Sequence, residues 1–152
     1  MPADPQAQAR NPALTVDGVV LHRQRDGLLA DGYRVLLVER GHDPYRGRHA
    51  LPGGFVDYGE DIDDAVGREV AEETGLTGLP FRQFRAFGRP GRDPRGHTVS
   101  IVYVAVIIGD LPAVAGGDDA AAAAWHPLDQ LPPLAFDHDL ILERVRESLK
   151  IR

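Results

Sequence analysis

The segment Asp61 to Gly75, which reads DIDDAVGREVAEETG, constrains the fold more than any other part of the chain. It predicts a helix over residues 61–74. Asp61 can cap it, Asp64 stands three residues later, and Gly75 is a natural stop. At about 100° per residue, Glu69 lies close in azimuth to Ile62, and Glu73 falls between Ala65 and Val66. The stripe that should face a core therefore begins apolar and turns acidic. Glu69, Glu72 and Glu73 are related by three and four residues, which places them together on one surface. Two carboxylates ~4 Å apart repel by ~4 kcal/mol at an effective dielectric near 20, so a cation is expected among them. For an arbitrary Glu-Glu pair on a helix, solvation or pairing with Arg68 would be the alternative.

The chain contains no cysteine, so any metal must be held by oxygen or imidazole. Carboxylate oxygens without thiolates suit Mg²⁺ or Mn²⁺, and Mg²⁺ is commonly shared between a few carboxylates, water and substrate phosphate. Absence of cysteine also fits a reducing, cytoplasmic setting. No apolar run reaches the length of a membrane span, and Met1 to Pro12 lacks the apolar region of a secretory signal, so no membrane partner is expected. A formal charge of −6 argues against broad binding to nucleic acid, which depends on neutralising many phosphates. Arginines cluster at Arg46 and Arg48 and again from Arg82 to Arg95, whereas acids crowd positions 57 to 73. This segregation suits a small anionic ligand held between cations and a metal, or else a solvated surface.

A length of 152 residues fits one domain. Residues 1–12, rich in Pro, Ala and Gln, are expected to be a disordered arm, and 13–152 the single folded domain. Strands are predicted at 14–22, 33–39, 81–88 and 97–108, the last apolar enough for burial on both faces. Arg25-Asp26-Gly27 and Asp31-Gly32 supply turn chemistry between the first two. Residues 109–124 read as a low-complexity linker or a helical turn of alanines, followed by a short strand at 124–127. An amphipathic helix over 137–152 closes the chain. Strands and helices mix without strict alternation, so the expected class is α/β (α+β), a mixed sheet flanked by helices.

Gly54, five residues, Glu60, seven residues, then Arg68-Glu69-Val70-Ala71-Glu72-Glu73-Thr74-Gly75-Leu76 resembles the Nudix box at every defined position. Leu51-Pro52-Gly53 before it and Phe55-Val56 within it also look like that family. The resemblance implies an α/β/α sandwich with a mixed β-sheet and Mg²⁺-dependent hydrolysis of a nucleoside diphosphate linkage. It further implies that Glu69 and Glu73 are first-choice metal ligands, that Glu72 is a ligand or base, and that the Gly53 carbonyl completes the coordination. Glu60 and Arg68 would orient these ligands, with a helix-dipole or capping role as the alternative for Glu60. The proton acceptor is expected to be Glu69 or an acid on a later loop, Asp118 or Asp119, where a flexible acidic linker is the other reading.

Gly91-Arg92-Asp93-Pro94-Arg95-Gly96 and Leu134-Ala135-Phe136-Asp137-His138, together with residues 48–57, look like the ADP-ribose pyrophosphatase branch. That resemblance implies ADP-ribose as substrate, with AMP and ribose 5-phosphate as products. Arg92 and Arg95 could grip phosphates and Asp93 a ribose hydroxyl, while Arg48 and Arg89 add cations. Tyr58, Phe87 or Phe136 could stack on a base, although core or loop packing is the favoured reading of each. His138 is expected to cap or pack the last helix. The competing substrates are nucleoside triphosphates, dinucleoside polyphosphates and NADH. A noncatalytic sensor is the competing class, but a sensor would be expected to carry a DNA-binding domain, none of which is read after Arg152, and to lose box acids that are intact here. Oligomerisation is open, a homodimer included.

Overall fold

A computed structural model describes residues 10–24, 32–115 and 120–151. Strand β1 (Ala13–Arg23) is the spine of a seven-stranded mixed sheet. One edge of β1 pairs in parallel with β6 (Thr98–Ile108), from Ala13 opposite Thr98 to Arg23 opposite Ile108. Its other edge is shared. Thr15, Val16 and Asp17 pair with β4 (Gly53–Phe55), and Leu21, His22 and Arg23 pair with β2 (Tyr33–Arg40), both antiparallel. β2 continues to β3 (His49–Ala50) and to β7 (Ala120–Pro127), while β5 (Arg82–Phe87) flanks β6. Because β1 changes partner between Asp17 and Leu21, β2 and β4 diverge and leave a cleft, where the box residues gather.

Alternation along β1 decides which helix covers which face. Val16 and Val20 pack with Leu36, Tyr103 and Ala65, Val66 and Val70 of helix α1 (Ile62–Thr74). Val19 and Leu21 pack on the opposite face with Val35, Leu37, Val102 and Ile141, Leu142 and Val145 of helix α2 (His138–Leu149). Full burial of such a side chain contributes about 1.5–3 kcal/mol, so packing rather than propensity holds both helices. Gly18 allows α1 to come close, since a Cβ there would meet Val70 Cγ2 at 2.9 Å. Strand β6 sends Val102, Val104 and Val106 to one layer and Ile101, Tyr103 and Ile107 to the other, the two-sided burial its sequence predicts. The result is the expected α/β/α arrangement around a mixed sheet.

Asp61 caps α1 by accepting from Asp63 N at 2.8 Å, and Gly75 closes it at φ 79°. Two expectations need correction. The alanines at 120–124 belong to β7, not to a linker or helical turn, and pair with Arg40 through Leu37. Alanine favours a helix in isolation, but the open edge of β2 offers a ladder, and tertiary pairing wins. The last helix ends at Leu149 rather than Arg152, because Lys150 turns left-handed at φ 54° and Ile151 folds back to donate to Arg146 O. Arg10 to Pro12 carry no regular structure, whereas 1–9 and the turn at 25–31 lie outside the described residues. None of the described helices is long and apolar enough to cross a membrane.

Candidate active site

Strand β4 runs between β1 and the C-terminal half of α1, and two glycines make that possible. A Cβ on Gly53 would lie 2.2 Å from Val16 O, and one on Gly54 would lie 2.5 Å from Glu69 Oε2. The Glu69 carboxylate therefore rests directly on the Gly54 backbone. One turn later, Glu73 accepts a hydrogen bond from the Gly53 N–H. Burial, then the charges of Glu69 and Asp17, push the Glu73 carboxyl up to about 8, against the pull of Gly53 N–H and Arg40. Burial also raises Glu69, with Arg68 opposing it. Two desolvated acids side by side leave an electrostatic deficit that a cation would relieve.

Arg68 organises the same helix face from outside. Its Nε donates to Glu60 Oε2 at 2.7 Å, Nη2 to Glu60 Oε1 at 2.8 Å, and Nη1 to Glu69 Oε1 at 2.8 Å. Its hydrogen bonds, and then the Asp57 N–H, pull Glu60 down to about 2. Glu72 also approaches Arg68, at 3.4 Å, but its side chain is 59% exposed and stands outside the cleft lining. The three glutamates thus divide, with Glu69 and Glu73 in the cleft and Glu72 at its outer edge. Among the described residues no three His, Cys, Asp or Glu side chains form a complete metal cage. Two carboxylates nevertheless fit Mg²⁺, which keeps water and takes substrate phosphate for its remaining positions.

The opposite wall of this cleft, ≈ 420 Å³ in volume, is cationic and aromatic. The Arg92 side chain is 5% exposed and forks onto Asp137 at the N-terminus of α2, with Nε to Oδ2 at 2.9 Å and Nη2 to Oδ1 at 2.6 Å. Arg95 forks onto Asp93 at 3.1 and 2.8 Å, and its guanidinium lies 5.1 Å from the Phe55 ring centroid and 5.5 Å from that of Phe136. Arg40, at the end of β2, approaches Phe136 from 4.9 Å and donates Nε to Pro44 O. Carboxylates on one side and guanidinium groups on the other suit a metal-bridged diphosphate.

Among the residues expected at the site, Gly53, Glu69, Glu73, Arg92, Asp93 and Arg95 are brought together. Arg48 instead reaches Leu134 O and the Tyr45 ring, Tyr58 is fully exposed, and Arg89 projects to solvent, all outside the lining. Phe87 belongs to the core beneath α2. Asp118 and Asp119 fall outside the described residues. Asp17, Arg40, Phe55 and His138 also line the cleft. Asp17 had a legible signal, a lone acid inside the apolar run Leu14 to Leu21. Arg40 had a weaker one, a cation ending Leu36-Leu37-Val38-Glu39.

Comparison with known proteins agrees with the fold. A family profile described as NUDIX domain matches residues 15–145. The ADP-ribose pyrophosphatase of Methanocaldococcus jannaschii is 41% identical over 133 residues, covering 88% of this chain and 72% of the relative. The ADPR responsive transcriptional repressor NtrR of Acinetobacter baylyi is 31% identical, covering 88% of this chain and 53% of its own length. Among solved structures, the NUDIX domain of Shewanella oneidensis NrtR complexed with ADP ribose superposes with a TM-score of 0.83 at 33% identity, covering 97% of this chain and 94% of that one.

Proposed function

This chain belongs to the NUDIX family and is a Nudix hydrolase, and on that premise we propose that it cleaves ADP-ribose to AMP and ribose 5-phosphate with Mg²⁺. The observation that carries the reading is the pairing of Glu69 and Glu73 across one cleft from Arg40, Arg92 and Arg95. It is supported by 41% identity to an ADP-ribose pyrophosphatase. Glu69, Glu73 and the Gly53 carbonyl would hold the cation, with Glu72 as a further ligand or base at the cleft's edge. Bound Mg²⁺, or Mn²⁺ in its place, supplies charge neutralisation at the diphosphate and acidifies the attacking water.

The chain's own residues do the rest. Glu69, held by Arg68 and Gly54, takes the proton from water as it attacks phosphorus, and Asp119 is the alternative acceptor. Arg92 and Arg95 orient the phosphates with the N–H groups left over from their carboxylate partners, and Asp93 keeps Arg95 aimed. The half-exposed Phe55 ring offers a stacking face for the base, whereas Phe136 is already covered by Arg40 and Arg95. A sensor is the second reading, favoured by the likeness to NtrR and NrtR. Purified protein incubated with ADP-ribose and Mg²⁺ should release AMP and ribose 5-phosphate, resolved by anion-exchange chromatography. Recovery of intact ADP-ribose, or release of pyrophosphate from nucleoside triphosphates alone, would overturn the assignment.

A further inference from the structure

Beneath the carboxylates lies a buried polar pair that the hydrolytic scheme does not use. Asp17 is 7% exposed and His138 is 3% exposed, and both line the cleft. Ser100 donates its hydroxyl to Asp17 Oδ2. The Leu51 N–H donates to His138 Nδ1 at 3.0 Å. Since Nδ1 is an acceptor, the proton of the neutral imidazole resides on Nε2. That Nε2–H faces Asp17 Oδ1 across 3.7 Å, too far for a direct hydrogen bond. Each group has its other polar atom satisfied. What remains is one donor and one acceptor, fixed in orientation and side by side in a desolvated wall.

A hydroxyl group matches this pair because it can accept from Nε2–H and donate to Oδ1 at once, standing about 2.8 Å from each. A phosphate oxygen cannot, since it has no proton to give the carboxylate. A cation could meet Asp17 but would be repelled by the Nε2–H. We propose that Asp17 and His138 form a subsite that reads a hydroxyl of the substrate's terminal sugar. This rests on the ADP-ribose reading, in which that sugar is a ribose. Such a subsite selects through the penalty of leaving its two buried groups unpaired when the hydroxyl is missing.

The test compares two ligands with the same anhydride, ADP-ribose and the tetrahydrofurfuryl ester of ADP, whose terminal ring lacks hydroxyls. Calorimetric titration in EDTA keeps turnover from interfering and leaves every acid of the cleft in place. ADP-ribose should bind at least about tenfold more tightly than the ester. Adding Asp17→Ala, or His138→Asn, should bring that ratio close to one. The asparagine keeps an acceptor for Leu51 N–H while removing the Nε2 donor, so it separates hydroxyl reading from support of the backbone. Thermal melts confirm that each variant is folded. Equal binding of the two ligands by the parent protein, or a ratio that survives in either folded variant, overturns the subsite alone. Failure of the parent protein to bind either ligand in EDTA, or to cleave either with Mg²⁺, overturns the ADP-ribose reading and the subsite together.

Discussion

Arg68 and Glu60 meet fork to fork, with two hydrogen bonds of 2.7 and 2.8 Å, and the same guanidinium reaches Glu69 at 2.8 Å. Glu60 thus touches the cleft only through Arg68, and the pair acts by fixing the rotamer of Glu69. Arg68→Lys keeps a charge but cannot serve both carboxylates in one plane. Turnover of ADP-ribose should fall about 10- to 100-fold in this variant, the range typical for a residue that orients a metal ligand, which is the role proposed for Glu69. Steady-state kinetics at saturating Mg²⁺ provides the check, and an unchanged kcat would contradict the role.

The same pair gives an acid limb to stability. Glu60 sits at about 2 in the fold against an ordinary 4.5, so the unfolded chain binds the extra proton between those values. Its contribution is fully present above pH 4.5 and is lost as pH falls through about 2. Urea titrations between pH 5 and 2 should show a smaller loss of stability in Glu60→Gln than in the parent protein.

Glu73 has the opposite sign. Its carboxyl is raised to about 8, so the metal-free fold binds a proton that the unfolded chain releases near 4.5. In EDTA, stability should decline as pH rises from 4.5 to 8, and Glu73→Gln should flatten that decline while nearly abolishing turnover. Mg²⁺ binds the deprotonated form, so the rise in Tm on adding it should grow over the same interval. A Tm that ignores Mg²⁺ at pH 8 would remove the cation from Glu73.

The adjacent glycines should fail differently. Gly53→Ala drives a methyl into the Val16 carbonyl, a backbone atom that cannot swing aside, and should lower Tm through loss of the β1–β4 pairing. Gly54→Ala meets the end of a side chain, Glu69, which can swing away. Its main cost should appear in kcat, with a melting curve close to that of the parent. Equal thermal damage in both variants would refute this division.

Asp137→Asn would leave the Arg92 guanidinium buried opposite a neutral amide. Breaking one partner of such a pair typically costs about 3–5 kcal/mol, and chemical denaturation should register a loss of that order.

The acidic helix was readable because its period, cap and stop coincide in one segment, and its two inward acids are those the azimuth places beside Ala65, Val66 and Ile62. Glu72 was not separable from them by spacing alone, since only Arg68 and the local solvent boundary turn it outward. The alanine strand at 120–124 was opaque because its residues carry a helix preference and the deciding contact, the edge of β2, is remote in sequence. Arg92 and Arg95 were identifiable as cleft residues, and Asp93 lies two positions from Arg95, but the partner of Arg92 was not readable because Asp137 lies 45 positions away. Asp17 and His138 escaped for the same reason. Asp17 is visible locally only as a lone acid in an apolar run and His138 only as a packing residue, and their joint meaning arises where β1, Leu51 and the start of α2 converge.

Asp137 and His138 are neighbours in one helical turn, yet the first clasps Arg92 and the second holds Leu51. Two walls that would face a ligand from different directions are therefore keyed to a single hinge point. The recess behaves as a preset mould, with its backbone freedom already surrendered during folding rather than at the moment of capture. Ligand entry should shift the main chain here by less than about 1 Å. Conversely, any disturbance of the first turn of α2 would loosen both walls at once, which makes that turn the place where the pocket is most vulnerable to change from a distance.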